Sequence, residues 1–299
     1  QQRKLPDRPT IGVLVPGNAE PFWSEFRQGL REHGYTEGQN VQFEFRSAGG
    51  KPALLPGLAQ ELVSLKVDII VVSQTPAAFA AKQATSEIPI VMALVADPVA
   101  TGLIASLARP GGNITGSAGT TTELGAKNLE LIRDMLPGTR RVAILANSTD
   151  PFTKVFVAQI ELGGRALGIS IQPIMVRGVD EYDAAFAAMV KEGADAVIVQ
   201  PSLSRKAAVE LALKHRLPPI SPTRLFPSEG GLMSYSPNQN DIYRRAAYFI
   251  DRILKGAKPA DLPVEQPTRF ELVINLKTAK ALGITIAQAL RVRVDELIE

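Results

Sequence analysis

The stretch Ile11–Phe22, IGVLVPGNAEPF, has a close counterpart later in the chain, VAILANSTDPF at Val142–Phe152. Each copy is a short aliphatic run, then a small polar loop, then an acidic residue followed by Pro-Phe. A second pair of stretches also matches, VDIIVVSQTPAAFAAKQA at Val67–Ala84 and ADAVIVQPSLSRKAAVELA at Ala194–Ala212. The two pairs are similarly spaced, which indicates that one architecture is used twice.

Within each half, aliphatic runs of strand length alternate with longer amphipathic or Ala-rich segments, which predicts alternating strands and helices. The predicted strands lie near Ile11–Val15, Val41–Phe45, Ile69–Val72, Ile90–Leu94, Val142–Ala146, Ser170–Val176, Ala196–Val199 and Pro219–Ser221. Strands that are apolar on both faces belong to parallel sheets covered by helices on both sides. We therefore predict an α/β protein with two doubly wound, Rossmann-like lobes.

The sequence after the second repeat predicts that the chain crosses between the lobes more than once. We expect residues 9–115 with 237–262 in the N-terminal lobe, and 116–236 with 263–299 in the C-terminal lobe. Three hinge segments are predicted, Asn113–Ser117, Tyr235–Asn238 and Leu262–Pro267. The stretch TGLIASLA at 101–108, which precedes the first of them, is expected to be a helix.

The composition argues against several classes of function. The chain has no cysteine, and its formal net charge is +3 without a dense basic stripe, so we expect no disulfide, no thiolate site and no nucleic-acid partner. Nucleotide loops, metal-ligand spacings and the G-x-S-x-G elbow are missing. The only histidines, His33 and His215, each close a helix. We expect no cofactor, no metal and no enzymatic activity.

Ligands of open parallel sheets bind beyond the carboxyl ends of the strands, so the loops there supply the candidate site. The candidates from these loops are Trp23, Ser73, Gln74, Thr75, Asp97, Asn147, Asp150, Ser202 and Tyr235, and Gln200 lies in the same loop as Ser202. Hydroxyls and free N–H groups at a helix start favour a carboxylate or another anion.

Each candidate also has a plainer interpretation, and the sequence leaves both open. Thr75 and Ser202 are equally compatible with capping their own helices. Asp97 precedes a proline and suits a simple turn, while Trp23 lies at helical spacing and suits a core position.

The longer motifs carry a resemblance to a known family. These motifs are ADPVATGLIASLARPGGNITG (Ala96–Gly116), ILANSTDPF (Ile144–Phe152) and LPVEQPTRFELVINLKTAKALGITI (Leu262–Ile286). They resemble the substrate-binding proteins of an ABC transporter family that includes tryptophan-binding members and has the type I periplasmic binding-protein fold. The resemblance maps the family's pocket onto Ser73, Thr75, Asp97, Thr120, Asn147, Ser202 and Tyr235, and Thr121 is the alternative to Thr120 in the loop GTTTEL.

The resemblance implies an extracytoplasmic solute receptor whose lobes close on a small ligand in the cleft between them. We expect an aromatic or hydrophobic amino acid or a related carboxylate, with Thr75 on the carboxylate, Asp97 on an amino group, and Trp23 or Tyr235 stacking on the apolar part. An ABC permease and its ATPase are the implied partners of a monomer. The location would be periplasmic or otherwise outside the cytoplasm.

Two alternatives stay open at the level of the sequence. One is a ligand-sensing module for a membrane receptor, and the other is a glycosidase-like hydrolase that uses Glu20, Asp97 and Asp150. The chain begins without Met and without an apolar leader, so we expect that a signal peptide was removed or that the chain was trimmed, and a lipid anchor in the precursor is compatible with either.

Overall fold

The computed structural model describes residues 8–119 and 123–299, which form two compact units. Unit 1 consists of the described residues up to 119 together with Gln239–Pro267, and unit 2 consists of residues 123–238 together with Thr268–Glu299. Each unit is a sheet flanked by helices.

The strands are β1 (Thr10–Val15), β2 (Gln42–Ser47), β3 (Ile69–Val72), β4 (Ile90–Val95), β5 (Ile114–Ala118), β6 (Arg141–Asn147), β7 (Ser170–Val176), β8 (Ala196–Val199), β9 (Pro219–Ile220), β10 (Met233–Pro237), β11 (Phe270–Asn275) and β12 (Glu296–Ile298). All the strands that the sequence predicts are present at their predicted places, with small differences at the ends.

The helices are α1 (Phe22–Glu32), α2 (Leu55–Ser64), α3 (Thr75–Ala84), α4 (Leu124–Met135), α5 (Thr153–Leu167), α6 (Tyr182–Lys191), α7 (Arg205–Lys214), α8 (Leu225–Ser228), α9 (Gln239–Leu254), α10 (Leu276–Ala281) and α11 (Gln288–Arg291). Short 3₁₀ turns lie at Pro52–Leu54, Val179–Glu181 and Pro259–Asp261.

The two sheets share one strand order, which confirms the predicted repeat. Unit 1 has the order β2-β1-β3-β4-β5, all parallel, and unit 2 has β7-β6-β8-β9-β10 in the corresponding places. The register also matches, with Ile11 opposite Ile69 in one unit and Val142 opposite Ala196 in the other. Unit 2 departs from the prediction at its far edge, because β11 pairs antiparallel with β10 and makes the sheet mixed.

A pair of aspartates repeats the same contact in both units. The Oδ2 atom of Asp68 accepts a hydrogen bond from Thr10 N at 2.9 Å, and Oδ2 of Asp195 accepts bonds from the N atoms of Arg140 and Arg141 at 2.8 and 2.9 Å. Each carboxylate therefore satisfies the first backbone donors of the strand that begins its half.

Both faces of the first sheet are buried, as the prediction of a doubly wound lobe requires. One face packs against α2 and α3, with Leu62 and Ala81 in its core. The other face packs against α1 and α9, with Phe26 and Ile250 in its core. Helix α9 belongs to unit 1 although the chain reaches it only after passing through unit 2.

Glycines allow the crossing helices to approach their neighbours closely. A Cβ atom on Gly29 of α1 would lie 2.5 Å from the backbone oxygen of Arg244 in α9. In unit 2, a Cβ atom on Gly163 of α5 would lie 2.8 Å from Cα of Ala126 in α4. The pairs α1–α9 and α4–α5 therefore pack in the same way, with a glycine at the closest approach, because only glycine permits helix backbones to come this close.

The passages between the units differ in part from the predicted hinges. The segment Asn113–Ser117 lies largely in β5, which pairs with β4, and the first passage follows it. The segment Tyr235–Asn238 ends at the second passage, and Leu262–Pro267 ends at the third. Glu265 pairs beside β5, where Ala118 N donates to Glu265 O at 2.8 Å, so strand pairing holds the segment that was predicted to be the first hinge.

The predicted helix TGLIASLA is wrong, because residues 101–108 form turns and bends. The carbonyl oxygens of Gly102 and Leu103 accept hydrogen bonds from Nζ of Lys82 at 3.0 and 2.9 Å, and Gly102 has a left-handed φ of +75°. A side chain therefore binds carbonyls that a helix would pair internally. Leu103 and Ile104 are still buried in the core.

The close approach at Gly29 gives a test with a matched control. Gly29→Ala should lower the midpoint of urea unfolding, because overpacking against a backbone atom costs about 1–3 kcal/mol. Gly57→Ala, in α2 with open space around it, should raise the midpoint, because alanine is better than glycine in a helix by about 0.5–1 kcal/mol. Equal midpoints for the two variants would contradict this packing.

Candidate ligand site at the strand ends

The carboxyl end of β3 in unit 1 presents the hydroxyls of two largely buried residues. Ser73 is 4% exposed and Thr75 is 3% exposed, and neither hydroxyl has a hydrogen-bond partner within residues 8–119 and 123–299. Thr75 does not cap α3, because the N-cap position is Gln74 and no side chain caps this helix. The capping interpretation of Thr75 therefore does not apply, and the N–H groups of the first helical turn have no side-chain acceptor.

Backbone strain is concentrated at the same edge of the sheet. Gln74, Leu94 and Asp97 have positive φ values of +69°, +74° and +21° without being glycine. Leu94 is the irregularity in the pairing of β4 with β5, and its carbonyl accepts a hydrogen bond from Gln74 N at 3.0 Å. Left-handed non-glycine residues are costly, and they cluster at functional sites.

Asp97 acts in a turn in this structure. Its Oδ1 atom accepts a hydrogen bond from Ala100 N at 3.0 Å, and its carbonyl accepts bonds from N and Oγ1 of Thr101. The carboxylate is partly exposed. A role in ligand binding is compatible with this turn, because each oxygen of a carboxylate can accept more than one hydrogen bond.

The ring of Trp23 packs within unit 1. It meets Phe43 edge to face at a centroid distance of 4.9 Å and Phe45 at 5.4 Å, and the guanidinium of Arg27 lies 5.3 Å from its centroid. Both phenylalanines belong to the edge strand β2. These contacts favour the packing interpretation of Trp23 that the sequence left open.

In unit 2 the predicted residues Asn147, Asp150 and Ser202 come together in one hydrogen-bonded network. Nδ2 of Asn147 donates to Oγ of Ser202 at 3.2 Å, and Oδ1 of Asn147 accepts from N and Oγ1 of Thr149 at 3.0 and 2.8 Å. Ser202 does not cap α7, which begins at Arg205 with Ser204 at its N-cap.

Asp150 is the buried carboxylate of this network. It is 8% exposed, and its oxygens accept hydrogen bonds from Phe152 N at 2.9 Å and from Nε2 of Gln200 at 3.1 Å. Burial raises the pKa of Asp150, and the bonds from Ser202, Phe152 and Gln200 oppose that rise in pKa. The carboxylate is therefore engaged in organising its own loop.

Two members of the network were not among the predicted site residues. Gln200 is 1% exposed and connects the ends of β6 and β8. Thr153, the first residue of α5, places its hydroxyl against Asn147 O and against Oε1 of Gln200. A signal for Gln200 was present in the sequence, since a polar amide follows directly on a fully buried strand at the repeat position of Ser73.

Tyr182 supports the helix that follows this network. Its hydroxyl accepts a hydrogen bond from Ser204 N at 3.1 Å, next to the start of α7. Burial of the phenol raises the pKa of Tyr182 to about 12. The residue is thus a neutral acceptor across the physiological range of pH.

The last predicted residues lie at the other strand ends. Tyr235 is in β10, where its ring stacks on Phe270 of β11 at a centroid distance of 5.7 Å. Thr120 and Thr121 lie outside the described residues. Within the described parts of the chain, no group of three or more histidines and acidic residues is placed to hold a metal ion, and no helix is long and apolar enough to cross a membrane.

The family of this chain follows from a comparison of its sequence with known protein families. The model of the family described as ABC transporter substrate binding protein matches residues 17–298. The chain belongs to this family. The predicted fold class and the predicted receptor function are confirmed by this match and by the structures below.

Two solved structures are similar to this member of the family over nearly all of its length. One, from Streptococcus pneumoniae, is described as an ABC domain in complex with L-Trp; it is 27% identical, with a TM-score of 0.91 over 97% of this chain and 100% of that one. The other is a conserved domain protein from Vibrio cholerae, 26% identical, with a TM-score of 0.90 over 97% and 99% of the two chains.

A curated relative adds a second amino acid to the comparison. It is the tyrosine-binding protein of Clostridioides difficile, 28% identical over 264 residues, which are 87% of this chain and 75% of that protein. Of the relatives described above, one is thus described in complex with L-Trp and another as tyrosine-binding.

Proposed function

We propose that this substrate-binding protein binds a small aromatic or hydrophobic carboxylate, in particular an amino acid. It acts outside the cytoplasm and delivers the ligand to an ABC permease that is driven by its ATPase. The observation that carries the proposal is the pair of hydroxyls of Ser73 and Thr75, two largely buried residues, which have no hydrogen-bond partner in the described chain and lie at the uncapped start of α3. The named ligands of two relatives, L-Trp and tyrosine, fit the same chemistry.

A carboxylate suits this position for electrostatic reasons. The first N–H groups of a helix have no intrahelical acceptor, and the helix dipole favours negative charge there. Hydrogen bonds from the two hydroxyls to a carboxylate are charge-assisted and are stronger than bonds between neutral groups. The ligand would therefore satisfy donors that the protein leaves available.

Asp97 is the proposed partner of the ligand's amino group. Its side chain accepts a hydrogen bond from Ala100 N. A carboxylate also suits an ammonium, because the hydrogen bond between them is charge-assisted. The hydrolase alternative receives no support from the relatives. Of its proposed carboxylates, Glu20 accepts two bonds from Ser24 and Asp150 is buried in its network, so both are engaged in their own loops.

Substitution of Thr75 tests the carboxylate site, with the other end of the same helix as control. Calorimetric titration with L-tryptophan and L-tyrosine should give binding to one site per chain, and the amides of these amino acids should bind far more weakly. Thr75→Ala should weaken binding about tenfold or more, because a hydrogen bond to a charged group contributes about 1.5–3 kcal/mol.

Thr85 follows the last turn of α3, and its hydroxyl accepts bonds from Glu87 N and Ile88 N. Thr85→Ala should leave the affinity unchanged while lowering the melting temperature slightly. An equal loss of affinity in the two threonine variants, or equal binding of the acid and its amide, would contradict a carboxylate site at the start of α3.

The role of Asp97 is tested by Asp97→Asn, which retains an acceptor for Ala100 N and removes the charge. The variant should weaken binding of L-tryptophan about tenfold, because it loses an ion pair with the ammonium. It should leave binding of indole-3-propionate, which lacks the amino group, close to that of the wild type. A similar loss for both ligands would show that the carboxylate of Asp97 serves only its turn.

A further inference from the structure

The amide of Gln200 joins two strand ends of unit 2 with a fixed polarity. Its Oε1 atom accepts hydrogen bonds from Asn147 N at 2.8 Å and from Oγ1 of Thr153 at 2.9 Å, and its Nε2 atom donates to Oδ2 of Asp150 at 3.1 Å. A backbone N–H can only donate, so the bond from Asn147 determines which end of the amide faces β6. The other end must then donate to the Asp150 carboxylate.

The repeat shows what this side chain replaces. Ser73 holds the corresponding position in unit 1, directly after β3, and its short hydroxyl has no partner among the described residues. In unit 2 the longer amide of Gln200 reaches the neighbouring strand and fills the equivalent place. The two halves therefore use one position differently, with donors left available in unit 1 and a closed network in unit 2.

The predicted ligand residues of unit 2 depend on that network. The hydroxyl of Ser202 accepts a hydrogen bond from Asn147, and Gln200 binds both the backbone of Asn147 and the carboxylate of Asp150. A substitution that reverses the donor and acceptor groups at position 200 would thus disturb the loop at Asn147 and the loop at Ser202 together. Gln200 itself is too deeply buried for a direct role at the surface of the loops.

We propose that Gln200 is a positioning residue for ligand binding, whose amide holds the Asn147 and Ser202 loops in the geometry that receives the ligand. The proposal rests on the proposed function, because it requires a ligand that these loops contact. It predicts that the affinity for the ligand depends on a matched donor and acceptor between residues 200 and 150, rather than on the volume of either side chain.

Exchanging the amide and the carboxylate between positions 200 and 150 tests this prediction. Gln200→Glu places a carboxylate against the Asp150 carboxylate, and Asp150→Asn places an amide donor against the donor of Gln200. In the double variant, the glutamate at 200 accepts from Asn147 N, Thr153 and the new asparagine, and the oxygen of that asparagine accepts from Phe152 N. The donors and acceptors are then matched again, with one buried carboxylate as in the wild type.

The probes are L-tryptophan and L-tyrosine, measured by calorimetry and by stopped-flow dissociation at a temperature where near-ultraviolet circular dichroism shows each variant folded. Each single variant should bind the probe about tenfold more weakly with faster dissociation, and the double variant should recover to within about threefold of the wild type, since contacting residues couple strongly. Gln172→Ala, which removes a buried amide with an unpartnered Oε1 from β7 of the same sheet, should leave the affinity unchanged.

The outcomes separate this proposal from the proposed function. Folded single variants that bind like the wild type overturn the positioning role alone, as does a folded double variant that binds more weakly than either single variant. Where a single variant does not fold, the affinity of the double variant is compared with that of the wild type. Binding within about threefold supports the positioning role, and weaker binding overturns it. A wild-type protein that binds neither probe contradicts the proposed function and this proposal with it.

Discussion

The structure depends on strands that are apolar on both faces and lie parallel in register. Such strands must be covered by helices on both sides, and each return to the next parallel strand requires a helical crossover. All the carboxyl ends of the parallel strands then lie at one edge of each sheet, where loops and helix starts bring polar groups together. This arrangement brings Asn147 and Ser202 together in unit 2, although they are distant in the chain. The glycines at 29 and 163 complete it, because they let α9 pack closely on α1 in unit 1 and α4 on α5 in unit 2.

The two units use the same edge in chemically different ways. In unit 1 the hydroxyls of two largely buried residues at the end of β3 have no partner in the described chain, and three non-glycine residues there have left-handed backbones. In unit 2 the corresponding residues bind one another around Gln200 and the buried Asp150. Strained residues persist only when the surrounding structure holds them. These features favour the proposed carboxylate site in unit 1, whereas the donors and acceptors around Gln200 are already paired with one another.

The sequence predicted the strands and the repeat well because both follow from local hydrophobic patterns, such as Ile69–Val72 and Ala196–Val199. It failed where a tertiary contact decides the local structure. TGLIASLA has a helical pattern, but Lys82 binds its carbonyls. The predicted hinge Asn113–Ser117 lies largely in β5, which pairs with β4 and is flanked by Glu265. At the site, the sequence placed Asn147, Asp150 and Ser202 correctly in strand-end loops. It could not show that Trp23 packs on Phe43, or that Gln200 reaches Asp150, because those contacts join residues distant in the chain.

The proposed function requires that the chain binds a small carboxylate and releases it unchanged. The most direct measurement starts from protein that has been unfolded, freed of small molecules and refolded. It is then incubated with an equimolar mixture of the common L-amino acids and aromatic carboxylates, separated by size exclusion, and denatured for mass spectrometry of the released compounds. The account predicts that one or a few carboxylates, chemically intact, leave the column with the protein at about one molecule per chain. Co-elution of no carboxylate, or recovery of a chemically altered product, would contradict it.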